Sequence, residues 1–187
     1  MSRRGQAKHG EGRAVPSRSA LGDALLRLSR RDHSEAELRR ALLRSGHHEG
    51  EIETALERLR AKRFVDDASY AERFARSRLE HAGLGSRRLE QALRKRGVPR
   101  QLAERGVQAA AAQVGEGEVL ERVARAYWRG HPRDEPVTRL RKLWAFLLRR
   151  GFPPALVRAR LAAWWPRPFR ELPPEWDAHD LGDNPED

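Results

Sequence analysis

Three short segments of this chain repeat one layout around a glycine. They are Leu38-Arg-Arg-Ala-Leu-Leu-Arg-Ser-Gly46, Leu89-Glu-Gln-Ala-Leu-Arg-Lys-Arg-Gly97 and Leu143-Trp-Ala-Phe-Leu-Leu-Arg-Arg-Gly151. In each, one leucine stands eight residues before the glycine and a second stands four before it (Leu42, Leu93 and Leu147). Leu56, Val107 or Leu161 follows ten residues after, and the glycines are 51 and 54 residues apart. A repeat of that length marks stacked supersecondary units, each contributing a thin buried layer. With 39% hydrophobic and 35% charged residues in 187, the chain is too polar for one large core, which agrees.

The apolar residues recur with a helical period. Ile52, Ala55, Leu56 and Leu59 form one stripe; Tyr70, Ala71, Phe74 and Ala75 a second; Val119, Leu120, Val123, Ala124 and Tyr127 a third; Leu140, Leu143, Trp144, Leu147 and Leu148 a fourth. No stretch alternates like a strand. Ser34-Glu-Ala-Glu37 reads as a capping box, and Asp66 or Asp67 can cap the next long helix. Gly46, Gly97 and Gly151 each follow a basic helix end, the place for a left-handed C-cap. Pro99 and the Pro153–Pro154 pair suit first turns. Nine helices are expected, near 20–31, 34–45, 49–63, 67–82, 86–96, 99–112, 116–130, 136–150 and 154–165, with a longer amphipathic helix leading each triplet. The fold class expected is all-α, as three tandem three-helix repeats of helix-turn-helix type at 20–65, 66–114 and 115–166.

The ends differ from this body. Residues 1–19 carry five basic groups, one acidic group and almost nothing apolar, so a disordered basic tail is expected. Residues 167–187 are Pro-rich and acidic, and a second disordered tail is expected there, with Phe169 and Trp176 able to dock back. Net charge is +11 overall, but residues 20–170 hold 33 basic and 19 acidic groups. Such an excess attracts polyanions.

The residues exclude several chemistries. Without cysteine there is no disulfide, thiolate zinc site or thiol nucleophile. His47-His48 and His81 lack carboxylates at metal-ligand spacing, and adjacent histidines in a polar loop read as solvated. There is no phosphate-binding glycine loop, and Gly115-Glu-Gly117 reads as an ordinary loop. No apolar run is long enough to span a membrane or act as a signal peptide, so a cytoplasmic protein is expected. No enzyme, metal or cofactor is expected.

What remains is basic clusters on equivalent helices. Arg39, Arg40 and Arg44 lie on the second helix; Arg87, Arg88, Arg94, Lys95 and Arg96 on the fifth; Arg139, Arg141, Lys142, Arg149 and Arg150 on the eighth. Arg73 and Arg76 on the fourth join them as candidates. A stacked array could align these cations into a stripe for a phosphate backbone or an acidic protein groove. Arg94, Lys95, Arg96, Arg149 and Arg150 read equally well as dipole-favourable charges at helix C-termini. With no defined recognition helix, backbone contact is favoured over base reading.

Three stretches together resemble the RecX family. One runs from Leu25 through Arg31, Ser34, Glu37 and Leu38 to Leu42. Another is Phe64-Val-Asp66-Asp67-Ala-Ser-Tyr70-Ala71, continuing to Arg76-Ser-Arg78, and the third is Leu93-Arg-Lys-Arg-Gly97-Val98. The likeness is close over residues 20–112 and rests mainly on spacing from there to 165. Ala92 stands where the family often has Glu, and Arg96 where Lys is usual; both changes are mild. The resemblance implies three tandem three-helix repeats in an elongated, curved array. It further implies a regulator that binds the RecA recombinase and its filament on single-stranded DNA, restraining ATP hydrolysis, strand exchange and SOS induction. The basic helices are expected to face acidic RecA surface, filament DNA or both, in a monomer with no membrane association. Two other readings of the residues stay open: a general helical DNA-binding protein without a RecA role, and a helical scaffold for another acidic partner.

Overall fold

The computed structural model describes residues 18–164. Among them are nine helices and no strand: α1 Ala20–Leu28, α2 Glu35–Arg44, α3 Glu49–Ala61, α4 Asp67–Ala82, α5 Ser86–Lys95, α6 Arg100–Val114, α7 Glu116–Gly130, α8 Pro136–Arg149 and α9 Pro154–Trp164. They form two compact units, one closing at Asp66 with α1–α3 and one opening at Asp67 with α4–α9. The expectations for residues 1–17 and 165–187 lie outside the described residues.

The three glycine turns share one geometry. Gly46, Gly97 and Gly151 have φ of 93°, 87° and 88°, a left-handed conformation that costs any residue with a Cβ about 1–2 kcal/mol. Each glycine N–H donates to the carbonyl three residues back (Leu43, Arg94 and Leu148), at 3.0, 2.9 and 2.8 Å. The next residue's N–H donates to the carbonyl five back, His47 to Leu42 at 3.3 Å, Val98 to Leu93 at 3.1 Å and Phe152 to Leu147 at 3.2 Å. This paired pattern is the Schellman motif, and the residue after its glycine normally packs inward. His47, Val98 and Phe152 are all buried, as are Leu42, Leu93 and Leu147 beneath them.

In the first unit Ala24, Leu38, Leu42, Ile52, Leu56, Leu59 and Val65 make the core. Ser34 is fully buried and carries the expected capping box: its hydroxyl accepts from Glu37 N–H at 3.1 Å, and its own N–H donates to Glu37 Oε2 at 3.2 Å. In the second unit α4 and α6 are the most intimately packed pair, and small residues explain why. Ala71 and Ala75 on α4 and Ala103 and Ala110 on α6 are buried, and a Cβ on Gly106 would stand 2.7 Å from the Ala71 Cβ. The large core side chains Leu89, Leu93, Leu120, Leu140, Leu143, Leu147 and Phe152 fill the rest.

Four sequence expectations change. The leading helix is not longer in the first triplet, because α1 has 9 residues against 10 and 13 in α2 and α3. It stops at Leu28 because Ser29 folds its hydroxyl onto the Leu26 carbonyl and Arg30 N–H turns to Arg27. At the end of α3, Arg63 takes a positive φ of 55° and closes the helix early. Gly115-Glu-Gly117 is no loop: Gly115, at φ 77°, ends α6, and Glu116 and Gly117 already belong to α7. His47 is not solvated; at 2% exposure it fills the position held by Val98 and Phe152 in the later turns.

Candidate functional site

In the first cluster Arg39 is neutralised from within. Arg39 on α2 reaches across to Glu49 and Glu53 on α3, forming an ion pair with each. Glu53 also pairs with Arg60, which lies 3.6 Å from Glu35. The guanidinium groups of Arg39 and Arg60 hold the Glu53 carboxyl below its usual pKa, against a smaller opposing effect of burial. Arg39 therefore acts as a strap between α2 and α3. Arg40 curls its Nε back to the Ala36 carbonyl at 3.0 Å, and Arg44 extends into solvent. Arg31 lies by the capping box, with Nη1 donating to the Asp32 carbonyl and standing 3.5 Å from Glu37.

The second and third clusters meet end to end in the second unit. Gly85 N–H, just before α5, donates to the Arg150 carbonyl at 2.8 Å, and Arg87 N–H donates to the Gly151 carbonyl at 3.0 Å. The carbonyls of the turn that ends α8 thus take up two donors at the start of α5. Two arginines tighten this joint: Arg88 Nη1 donates to the Arg149 carbonyl at 2.9 Å, and Arg150 Nη1 to the Ala82 carbonyl at 2.6 Å. Arg96 stacks over Phe74, 4.8 Å from its centroid. Arg88, Arg96 and Arg150 thus serve the fold. On the solvent face of α5, Arg87, Arg94 and Lys95 are exposed, with Gln91 between them and no exposed acid. Arg73 and Arg76 are exposed on α4, where Arg76 lies 3.5 Å from Gln113.

A shallow cleft of about 420 Å³ lies between α7 and α8, lined by Tyr127, Thr138, Arg141, Lys142, Ala145 and Arg149. The five α8 residues recur at helical spacing and share one face. Ala145 leaves the gap between the cations, and Lys142 is tethered to Asp134 at 3.1 Å. Tyr127 closes the floor, its ring stacked 4.0 Å from His131 and tilted against Phe146 at 4.7 Å. Arg139, which shares a helix with this cleft, stacks instead over Trp128 at 4.0 Å.

One polar constellation was not legible in the sequence. His47 Nε2 lies 3.5 Å from Asp23 Oδ2; Asp23 pairs with Arg27 at 3.3 Å, and Arg27 Nη2 donates to Ser45 Oγ at 2.8 Å. Burial raises the Asp23 pKa, but Arg27, Ser45 and His47 together overcome it and hold the carboxyl below its usual value. The network fastens α1 to the turn after α2. Comparing position 47 with Val98 and Phe152 would have shown that it faces inward. Among the described residues no group of three or more His, Asp or Glu side chains could hold a metal, and no helix is long and apolar enough to cross a membrane.

Small helical domains in tandem, each built around a glycine turn and carrying cations on exposed helix faces, define a helical-repeat protein with a basic surface. Family models for the first, second and third three-helix domains of RecX match residues 20–59, 66–107 and 116–161 in that order. The chain belongs to the RecX family of regulatory proteins. It is 33% identical over 134 residues to the regulatory protein RecX of Actinobacillus pleuropneumoniae serotype 5b, covering 72% of this chain and 85% of that one. To the regulatory protein RecX of Halorhodospira halophila it is 37% identical over 146 residues, covering 77% and 88%. The fold is similar to the crystal structure of RecX from Lactobacillus salivarius, with a TM-score of 0.70 at 20% identity over 77% of this chain and 93% of that one.

Proposed function

We propose that this protein is a RecX-type modulator, mainly an inhibitor, of RecA, acting on RecA and its filament on single-stranded DNA. It restrains ATP hydrolysis, strand exchange and SOS induction by occupying the filament, without covalent chemistry of its own. The body works as three repeats, 20–65, 66–114 and 115–166, in a cytoplasmic monomer. Family membership supports the partner. The observation that carries the contact surface is the solvent face of α5, where Arg87, Arg94 and Lys95 stand exposed with no exposed acid among them. Arg73, Arg76, Arg141, Lys142 and Arg149 of the same unit extend it, and Arg88, Arg96 and Arg150 act on it through the fold. In the first unit Arg40 and Arg44 are candidate contacts in their own right, and Arg39 acts there through the fold.

The test is RecA ATPase on single-stranded DNA with increasing amounts of this protein. A fall in rate at stoichiometric or lower amounts is expected. The triple variant R87A/R94A/K95A should inhibit more weakly, with unchanged far-UV circular dichroism. An unaffected ATPase at these ratios would overturn the RecA reading.

A further inference from the structure

The two helices around the Gly97 turn differ in the balance of their exposed residues, cations dominating on α5 and side-chain amides on α6. On α5 the exposed residues are Arg87, Arg88, Gln91, Arg94 and Lys95. On α6 Arg100, Gln101, Arg105, Gln108, Ala112 and Gln113 are exposed. Arg100 pairs with Glu104 and Gln113 donates to Glu72, and Gln101, Arg105, Gln108 and Ala112, at i, i+4, i+7 and i+11, form one stripe within a narrow sector of the helix. Opposite that stripe Ala103, Gly106, Val107 and Ala110 are buried. The only acid on α6, Glu104, is half-buried and pairs with Arg100 at 2.6 Å.

We infer that the second three-helix domain is a reader of double-stranded DNA, with α6 lying in the major groove and α5 fixed to the flanking phosphates. In a helix-turn-helix, the second helix presents its first turns to base edges while the first crosses the backbone. Arginine pairs bidentately with guanine and glutamine with adenine, whereas lysine and arginine without such geometry serve phosphates. The division between α5 and α6 follows that rule. Gln101 and Gln108 are about 10 Å apart along the axis at 1.5 Å per residue, the span of about three base pairs. The helix, about 10–12 Å across, matches a major groove about 12 Å wide.

The equivalent helices of the other repeats lack this chemistry. On α3 the exposed residues include Glu49, Glu51 and Glu57, which a polyanion repels. On α9 they are Ala155, Arg158, Ala159, Arg160 and Ala163, with no side-chain amide. The inference goes beyond the RecA reading and does not depend on it: duplex binding by the second domain requires no recombinase.

The experiment uses the full chain without RecA, selecting from a pool of duplexes with a randomised central segment and reading affinity by fluorescence anisotropy. A shared motif of about three base pairs should be enriched, and the selected duplex should bind more tightly than either of its separate strands. Q101A/Q108A should lower the preference for the enriched motif over a scrambled duplex about tenfold or more, while leaving the salt dependence unchanged. R87A/R94A/K95A should keep the preference but flatten the slope of log affinity against log salt by roughly two to three units. These positions are exposed, so unchanged circular dichroism is expected for both variants. A pool with no shared motif, tighter binding to the single strands, or a Q101A/Q108A variant with unaltered preference would each overturn the inference. Such outcomes leave the ATPase result untouched, so the two readings fail separately.

Discussion

Adding one methyl group at Gly85 should loosen the joint between α8 and α5. Gly85 has an ordinary φ of −78°, so alanine there carries no backbone strain and its effect is purely steric. A Cβ would stand 2.3 Å from Phe152 N, 2.4 Å from Gly151 C and 2.5 Å from Gly151 O. All three are backbone atoms that no rotamer change can remove, and ordinary carbon contacts need about 3.5–4.0 Å. The turn after α8 must therefore retreat by about 1 Å. That breaks or stretches two hydrogen bonds, Gly85 N–H to Arg150 and Arg87 N–H to Gly151, each contributing about 0.5–1.5 kcal/mol. Unseating the fully buried Phe152 adds overpacking of about 1 kcal/mol. The sum predicts that Gly85→Ala destabilises the second unit by about 2–4 kcal/mol. All five tryptophans, at 128, 144, 164, 165 and 176, lie beyond Asp66, so guanidinium titration followed by tryptophan emission reports on that part of the chain. Gly50→Ala is the control, read by circular dichroism: nothing lies within 4 Å of its added Cβ, and it should be neutral or stabilising by up to about 1 kcal/mol. A loss below about 0.5 kcal/mol in Gly85→Ala would refute the reasoning.

Two further substitutions probe single features. Burial, reinforced by Glu104 and Glu116 against the opposing pull of Arg100 and Arg87, raises the Glu90 pKa. Ionising this side chain therefore opposes folding, with the penalty growing as pH rises from the unfolded value through the folded one and complete above it. Glu90→Gln should raise the denaturation midpoint at pH 7 and give no gain below about pH 4, as a pair of urea titrations would reveal. Ser34→Ala removes the hydroxyl of a fully buried capping box and should cost about 1–2 kcal/mol in thermal or chemical unfolding followed by circular dichroism.

The spacing around Gly46, Gly97 and Gly151 was enough to anticipate an all-helical chain of three-helix units, because glycine chemistry and helical periodicity are local properties. The Leu42, Leu93 and Leu147 positions, the Ser34–Glu37 box and most helix ends were readable for the same reason. Other features depended on side chains far apart in sequence. Arg39, Arg88, Arg96 and Arg150 look alike as members of basic runs. Yet each is drawn to a particular acid, carbonyl or ring that only folding brings near, and so they are set apart from Arg87, Arg94 and Lys95. His47 looks like a loop histidine until the Schellman turn points it at Asp23. The tight α4–α6 crossing at Ala71 and Gly106 likewise has no one-dimensional signature.

The sequence by itself thus determined most of the helical segments, the three glycine turns and which apolar residues face inward, since short-range hydrogen bonding and hydrophobic period decide those. Tertiary structure alone decided which cations are engaged within the fold and which stay exposed. A guanidinium group's role depends on what lies within about 4 Å of it, and that neighbourhood exists only once the helices have packed.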